Sequence, residues 1–468
     1  MQAIIRSLAA LIPCLLCAAL PVTALATGAT ADKGSSIPLF LDTPAGSPGL
    51  TLPRRSRAAA DSADLGAVER LREVAINPRA IDPARLDVGD RLRLVLFADT
   101  IVEATVDSIT EDSNGVIAIR ARVDGSPPGH VLLSVAEDRV LGDIALPGSG
   151  EVYRITHLGQ GFDHVVEDLD PAARNTLAGS EPRLPPAPPV GPAPLTQNAP
   201  QSAPGPVTLD VMIVYTPAAR AWADRYANGI HSVISQAMQK GQLALDSSAL
   251  DIHLRLVHSA QVDYTESQDP GMDLDRLTFH AGHDPWGWEG SPRYMDEVHQ
   301  WRDRYGADLV TLVARRDDTG GIGWLLGEPT GWPEFGFSVV RVQQAHDTFT
   351  YIHEAGHNLG AGHHNAQLAQ PGPGLHNHSG GWRWIGDDGG AYASVMTYGS
   401  GQFFRDGRTH RETPYFSSPA VFHQGVSAGD RRDGDNARTL RETGAVVASY
   451  RAAPTSQPEP LIFSSGFE

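Results

Sequence analysis

Residues 85–165 are built from short runs in which apolar and polar positions alternate. Examples are Arg91-Leu92-Arg93-Leu94-Val95-Leu96-Phe97, Val116-Ile117-Ala118-Ile119 and His130-Val131-Leu132-Leu133, separated by Asp, Gly and Pro. A two-residue period puts every second side chain on one face of a strand, so this stretch predicts a small β-rich domain. The pattern stops at Ser180. Proline then crowds the chain as far as Pro206, including Pro185-Pro186-Ala187-Pro188-Pro189, a composition that favours an extended, exposed linker over a packed core. From Thr208 longer apolar runs return. Residues 209–215 read as a strand, and 217 to about 243 as one long helix with Pro217 in its first turn. Three more strands are expected at 250–257, 308–313 and 337–342, with the apolar segment 321–326 between the last two and a closing helix over 435–450. The fold class expected is α+β, a β-rich domain followed by a mixed domain of strands and helices.

The first residues add a different signal. One early charge, Arg6, precedes an apolar run from Leu8 to Leu25 that closes on Ala24-Leu25-Ala26, the layout of a cleaved export signal over residues 1–26. Pro13 and Pro21 interrupt the run, which argues against a retained membrane segment. The expected location is secreted, extracellular or periplasmic. Both cysteines, Cys14 and Cys17, fall inside the signal, so the exported protein would hold neither thiol nor disulfide. Leu15 and Leu16 are too bulky for a lipoprotein cleavage site before Cys17. At 468 residues the chain can carry two domains with their own cores. Its net charge of −18 excludes nucleic acid as a natural partner.

The densest chemistry lies in Tyr-Ile-His-Glu-Ala-Gly-His-Asn-Leu-Gly-Ala-Gly-His-His, residues 351–364. Residues four apart share a helix face, so His353 and His357 can bind one metal ion, with Glu354 beside it but not ligating. Neutral imidazoles suit Zn²⁺, and three protein ligands leave the fourth position to a water whose pKa the ion lowers towards ~7. A third ligand at His363 requires the chain to turn sharply after the helix. Gly360 supplies that turn, because glycine tolerates the left-handed conformation that ends helices.

His-Glu-x-x-His-x-x-Gly-x-x-His followed by a methionine turn is a metzincin signature, and Ser394-Val395-Met396-Thr397-Tyr398-Gly399 resembles that turn. The chain is similar to metzincin-clan zinc metallopeptidases, and its layout resembles bacterial reprolysin-like secreted precursors. The resemblance covers residues 207–451 and implies a zincin-like catalytic domain: a twisted mixed sheet, an active-site helix and a methionine turn. It implies Met396 as a hydrophobic floor beneath the imidazoles and Tyr398 as a group supporting the tetrahedral intermediate. Segment 321–326 would be an edge strand that pairs with extended substrate, and 414–419 a wall of the substrate pocket. His364 stands where the clan more often has an acidic residue, serine or proline.

The expected function is therefore a secreted zinc-dependent endopeptidase acting on proteins or peptides, with Glu354 as general base and Tyr398 on the oxyanion. Residues 27–179 would be a propeptide, 180–206 the linker and 452–468 a tail, giving a zymogen inhibited by its own propeptide. Without a cysteine for a thiol switch a carboxylate could substitute, and Asp168 and Asp170 are the candidates, although their place before the linker reads first as solvated acidic residues. His280 with His283, and His376 with His378, have metal-like spacings but read as surface histidines. Asp433 and Asp435 offer too few ligands for a full Ca²⁺ site. The alternative class is an inactive secreted zinc-containing binding or adhesion protein, which an intact Glu354 argues against.

Overall fold

The computed structural model of the chain describes residues 36–41, 68–148, 150–158, 163–170, 176–185, 205–280 and 294–452. The expected signal with both cysteines, His283, residues 186–204 of the linker and residues 453–468 of the tail lie outside them.

The alternating segment supplies the last seven strands of one ten-stranded sheet, and residues before it supply the first three: β1 (Ile37–Pro38), β2 (Phe40–Leu41), β3 (Val68–Ile76), β4 (Arg91–Phe97), β5 (Thr100–Glu111), β6 (Ile117–Val123), β7 (Gly129–Ala136), β8 (Arg139–Ala145), β9 (Val152–His157) and β10 (Asp163–Leu169). From β4 to β10 each strand pairs antiparallel with the next. The period-2 expectation holds in β4, where Leu92, Leu94 and Leu96 are buried in one core with Val131, Leu133 and Ile155. The segment 37–41 joins the two edges. β1 pairs with β4 and β2 with β3, while Leu39 N–H donates to Arg93 and Asn77 N–H to the Leu39 carbonyl. The sheet thereby closes on itself and leaves no long open edge.

A second, five-stranded sheet follows, ordered β12 (Ile252–Gln261), β11 (Val207–Tyr215), β13 (Leu309–Ala314), β15 (Phe337–Arg341), β14 (Gly321–Gly323). The first four strands are parallel, and β14 runs antiparallel to β15 at the edge. β11 and β13 are near-continuous apolar runs because helices cover both faces. Leu209, Val211 and Ile213 of β11 face a core shared with α1 (Pro217–Tyr226), α2 (Ile230–Ser247) and the motif helix, whereas Met212 and Val214 face α3 (Pro270–Thr278) and α4 (Asp296–Tyr305).

The single helix expected over 217–243 is two helices. Asn228 and Gly229 both have positive φ, 61° and 102°, which breaks the first helix at Ala227. The break has a tertiary cause. The Asn228 amide donates to Val140 O at 2.7 Å and accepts from His157 N–H at 3.0 Å, both in the β-rich sheet. The same sheet covers α2 through buried polar contacts: Gln239 Nε2 donates to Leu133 O and Ser134 Oγ, and Lys240 pairs with Asp143 at 2.9 Å.

After β15 the chain does not run straight into the motif helix. A short helix, α5 (Val342–Ala345), intervenes before α6 (Thr350–Asn358), and α7 (Asn436–Val447) closes the domain. Buried Asn358 ties α6 to the sheet edge, its amide reaching the carbonyls of Trp324 at 2.8 Å and Phe337 at 3.1 Å. Replacing Asn358 with Ala orphans the Trp324 carbonyl, while Phe337 O keeps the Trp324 N–H, and we expect about 2 kcal/mol of lost stability. A denaturant titration would show this as a lower midpoint with an unchanged slope.

Candidate metal and catalytic site

His353 and His357 project from one face of α6, one turn apart. α6 ends at Asn358, and Gly360, at φ 88°, redirects the chain so that His363 returns to the same point. A side chain at Gly360 would be strained by that dihedral and would crowd Leu375 at 3.0 Å. The three histidines are the only group of three or more metal-capable side chains among the described residues.

Each ring is held from behind by a main-chain carbonyl. His353 Nδ1 lies 2.7 Å from Val395 O, His357 Nδ1 2.9 Å from Ala361 O, and His363 Nδ1 2.8 Å from Gln370 O. A carbonyl only accepts, so each Nδ1 carries the proton and each Nε2 presents a bare lone pair. His353 Nε2 and His363 Nε2 face one another at 3.1 Å with no hydrogen left to lie between them. Such a pair is stable only around a cation, and the separation is close to the roughly 3.3 Å edge of a tetrahedron built on ~2.0 Å zinc–nitrogen bonds. The donor set therefore fits zinc. Burial pushes the His353 imidazole down to about 4 and His363 to about 3, and holds His357 well below the usual range, so all three remain neutral ligands.

Glu354 is buried beside them, and among the described residues no donor reaches either carboxylate oxygen. Desolvation holds its carboxyl well above the usual carboxylate range. Met396 is fully buried beneath α6, its sulfur 2.8 Å from where a side chain on Gly356 would start. Val395, its neighbour, supplies the carbonyl that orients His353. Tyr398 lies beside the triad, its ring centroid 4.9 Å from that of His363.

Residues 206–402 match the model of Reprolysin_5, the metallo-peptidase family M12. The match supports a metzincin-like zinc metallopeptidase domain over these residues. Among curated proteins the domain and its flanks are 28% identical over 284 residues to a peptidyl-Asp metalloendopeptidase of Pseudomonas aeruginosa, covering 56% of this chain and 43% of that one. A protein of the same name from Stenotrophomonas maltophilia is 25% identical over 72% of this chain and 75% of its own length. One from Xanthomonas campestris is 25% identical over 69% and 70%. These likenesses support a metalloendopeptidase.

Other residues singled out in the sequence lie elsewhere. His364 turns from the triad to stack on Trp382, and its Nδ1 accepts from Ala366 N–H. His280 stands against His299, and His376 stacks on His378 beside Glu442. Asp435 caps α7 through Arg438 N–H. Asp168, a candidate blocking carboxylate, sits in β10 and pairs with Arg70 at 2.7 Å; Asp170 directly follows that strand.

What enters the cleft instead is main chain that sequence reading placed partly in an exposed linker. Residues 177–183 run along β14: Gly320 N–H donates to Ala178 O, Ser180 N–H to Gly321 O, and Arg183 N–H to Gly323 O, while Arg183 O accepts from Leu325 N–H. The Arg183–Trp324 bridge is parallel. Gln344 clamps the other end, accepting from Leu177 N–H at 2.8 Å and donating to Leu177 O at 3.2 Å. Midway, Gly179 O faces the Tyr398 hydroxyl at 2.9 Å and the Gln370 amide at 3.3 Å. A Cβ on Gly179 would lie 3.1 Å from that hydroxyl and 3.2 Å from Glu354 Oε1. Neither Gln344 nor Gln370 announces itself in sequence, since a lone glutamine has no spacing signature.

The triad geometry makes a direct prediction. Purified protein should hold one zinc per chain by elemental analysis, and His363→Ala should lose most of it on dialysis.

Proposed function

We propose that this protein is an exported zinc metalloendopeptidase, made as a precursor whose residues 177–183 occupy its own substrate cleft. The single observation that carries the reading is three imidazole lone pairs converging beside a buried, unpartnered carboxylate, with an extended peptide already lying across them. When bound, zinc supplies Lewis acidity toward a peptide carbonyl and lowers the pKa of a water. His353, His357 and His363 would hold it.

Glu354 takes a proton from the attacking water and delivers it to the departing amine nitrogen. Its burial suits both roles, because desolvation makes the carboxylate a better proton acceptor than an exposed one, and the departing amine is more basic still and takes the proton back. The Tyr398 hydroxyl donates to the oxyanion. In the precursor that hydroxyl is engaged by Gly179 O and Gln370 Oε1. Latency then needs no thiol and no carboxylate: a glycine backbone fills the space between Glu354 and Tyr398. The propeptide is the chain up to this strap, with the β-rich sheet anchoring it on α2. By their name, the relatives point to an aspartyl residue at the scissile bond.

Glu354→Ala should keep its zinc yet lose on the order of 10²-fold or more in kcat/KM. Metal analysis alongside peptide hydrolysis separates the two effects. Gly179→Leu, whose side chain collides with Glu354 and Tyr398, should raise the activity of uncut precursor several-fold over wild type. An uncut wild-type precursor as active as the processed enzyme would overturn the latency reading. Matched peptides with Asp or Asn at the scissile bond test the remaining point, with faster cleavage expected for Asp.

A further inference from the structure

Where the strap leaves the cleft it places one charged side chain in a built pocket. Arg183 Nη1 donates to Asp275 Oδ1 and, at 3.1 Å, to the carbonyl of Gly271, both on α3. Its guanidinium lies over the indole of Trp324, 5.1 Å from the ring centroid. Trp324 is fixed from behind, its Nε1–H donating to Thr278 Oγ1 at 2.8 Å. Asp275 is only 8% exposed with Arg183 in place, and Asp269, the cap of α3, adds a second negative charge nearby. Among the described residues Arg183 is the one cation that pairs with Asp275.

These groups match an arginine side chain. A carboxylate and a carbonyl accept from the planar guanidinium fork, and the indole face takes its flat side. Arg183 is held there by main-chain bonds to Gly323 and Leu325 on the cleft edge, the bonds by which an extended peptide adds to a sheet. Once the strap departs, Asp275 loses its counter-ion beside Asp269, and a new cation that replaces the old one restores the pairing.

We propose that Asp275, Gly271 O and Trp324 form a substrate subsite for arginine, filled in the precursor by Arg183. The subsite rests on the peptidase reading above. It lies on the Trp324 side of the cleft, four residues along the strap from Gly179, the residue at Glu354 and Tyr398. Lysine reaches it as a point charge and satisfies fewer acceptors. A glutamate there meets Asp275 and Asp269 and is rejected.

The test uses the processed, zinc-loaded enzyme and peptides sharing one cleavable bond, with a single arginine moved through each of five positions on either side. One position about four residues from the bond should give kcat/KM about tenfold above norleucine, mainly through KM, with lysine intermediate and glutamate below norleucine. In Asp275→Asn that arginine-to-norleucine ratio should fall towards one. A flat arginine scan in an enzyme that cleaves the peptides overturns the subsite alone, as does a preference that survives in Asp275→Asn. The wild-type scan decides even if the variant folds poorly. Failure to cleave any peptide overturns the peptidase reading, and the subsite with it.

Discussion

Three backbone carbonyls, those of Val395, Ala361 and Gln370, take the Nδ1 protons of His353, His357 and His363. This constraint fixes every tautomer and turns three lone pairs toward one point, so the ligands are committed to a cation before one arrives. The carbonyls come from three different places: the methionine turn, the bend after α6, and the loop that follows His363. Each of those segments must be positioned by the fold for the triad to exist. Met396 below α6, Gly360 at its end and α7 closing the domain all serve that placement.

The second organising element is an edge. β14 is antiparallel to its neighbour and contributes only three residues, leaving its outer side free to pair with another chain. Open edges are adhesive in a way proteins ordinarily suppress. Here residues 177–183 of the same molecule occupy it, held in register by main-chain bonds to β14 and by Gln344, while the ten-stranded sheet docks on α2 through Asn228, Gln239 and Lys240. The docking surface carries amides, hydroxyls and three ion pairs, Lys240–Asp143, Arg120–Asp246 and Arg154–Asp347. Such a face can meet water after separation at less cost than an apolar one, which fits the propeptide role proposed for that domain. The strap touches the centre through a glycine, where nothing but backbone fits, and puts its recognisable side chain, Arg183, at the far end.

How far the sequence could be read depended on how local each determinant was. The strands of the first sheet were legible from two-residue alternation, since one face of each strand is core and the other is not. The one long helix over 217–243 was misread because its break at Asn228 is set by Val140 and His157, more than 70 residues away. The extra helix α5 and the partner of the strap were hidden for the same reason.

By itself the sequence determined the metal chemistry: a histidine pair at helical spacing, a carboxylate between them, a glycine for the turn and a third imidazole are all written within eleven residues. Met396 and Tyr398 were named by resemblance, because Ser394 to Gly399 is similar to the metzincin turn. Only the tertiary structure decided what lies against that site. Gly179, Gln344, Gln370 and the Asp275–Trp324 pocket come together from segments up to roughly two hundred residues apart, around a strap whose pairing with β14 is made by backbone hydrogen bonds that carry no residue preference. A contact made by main chain leaves no mark on the sequence that makes it.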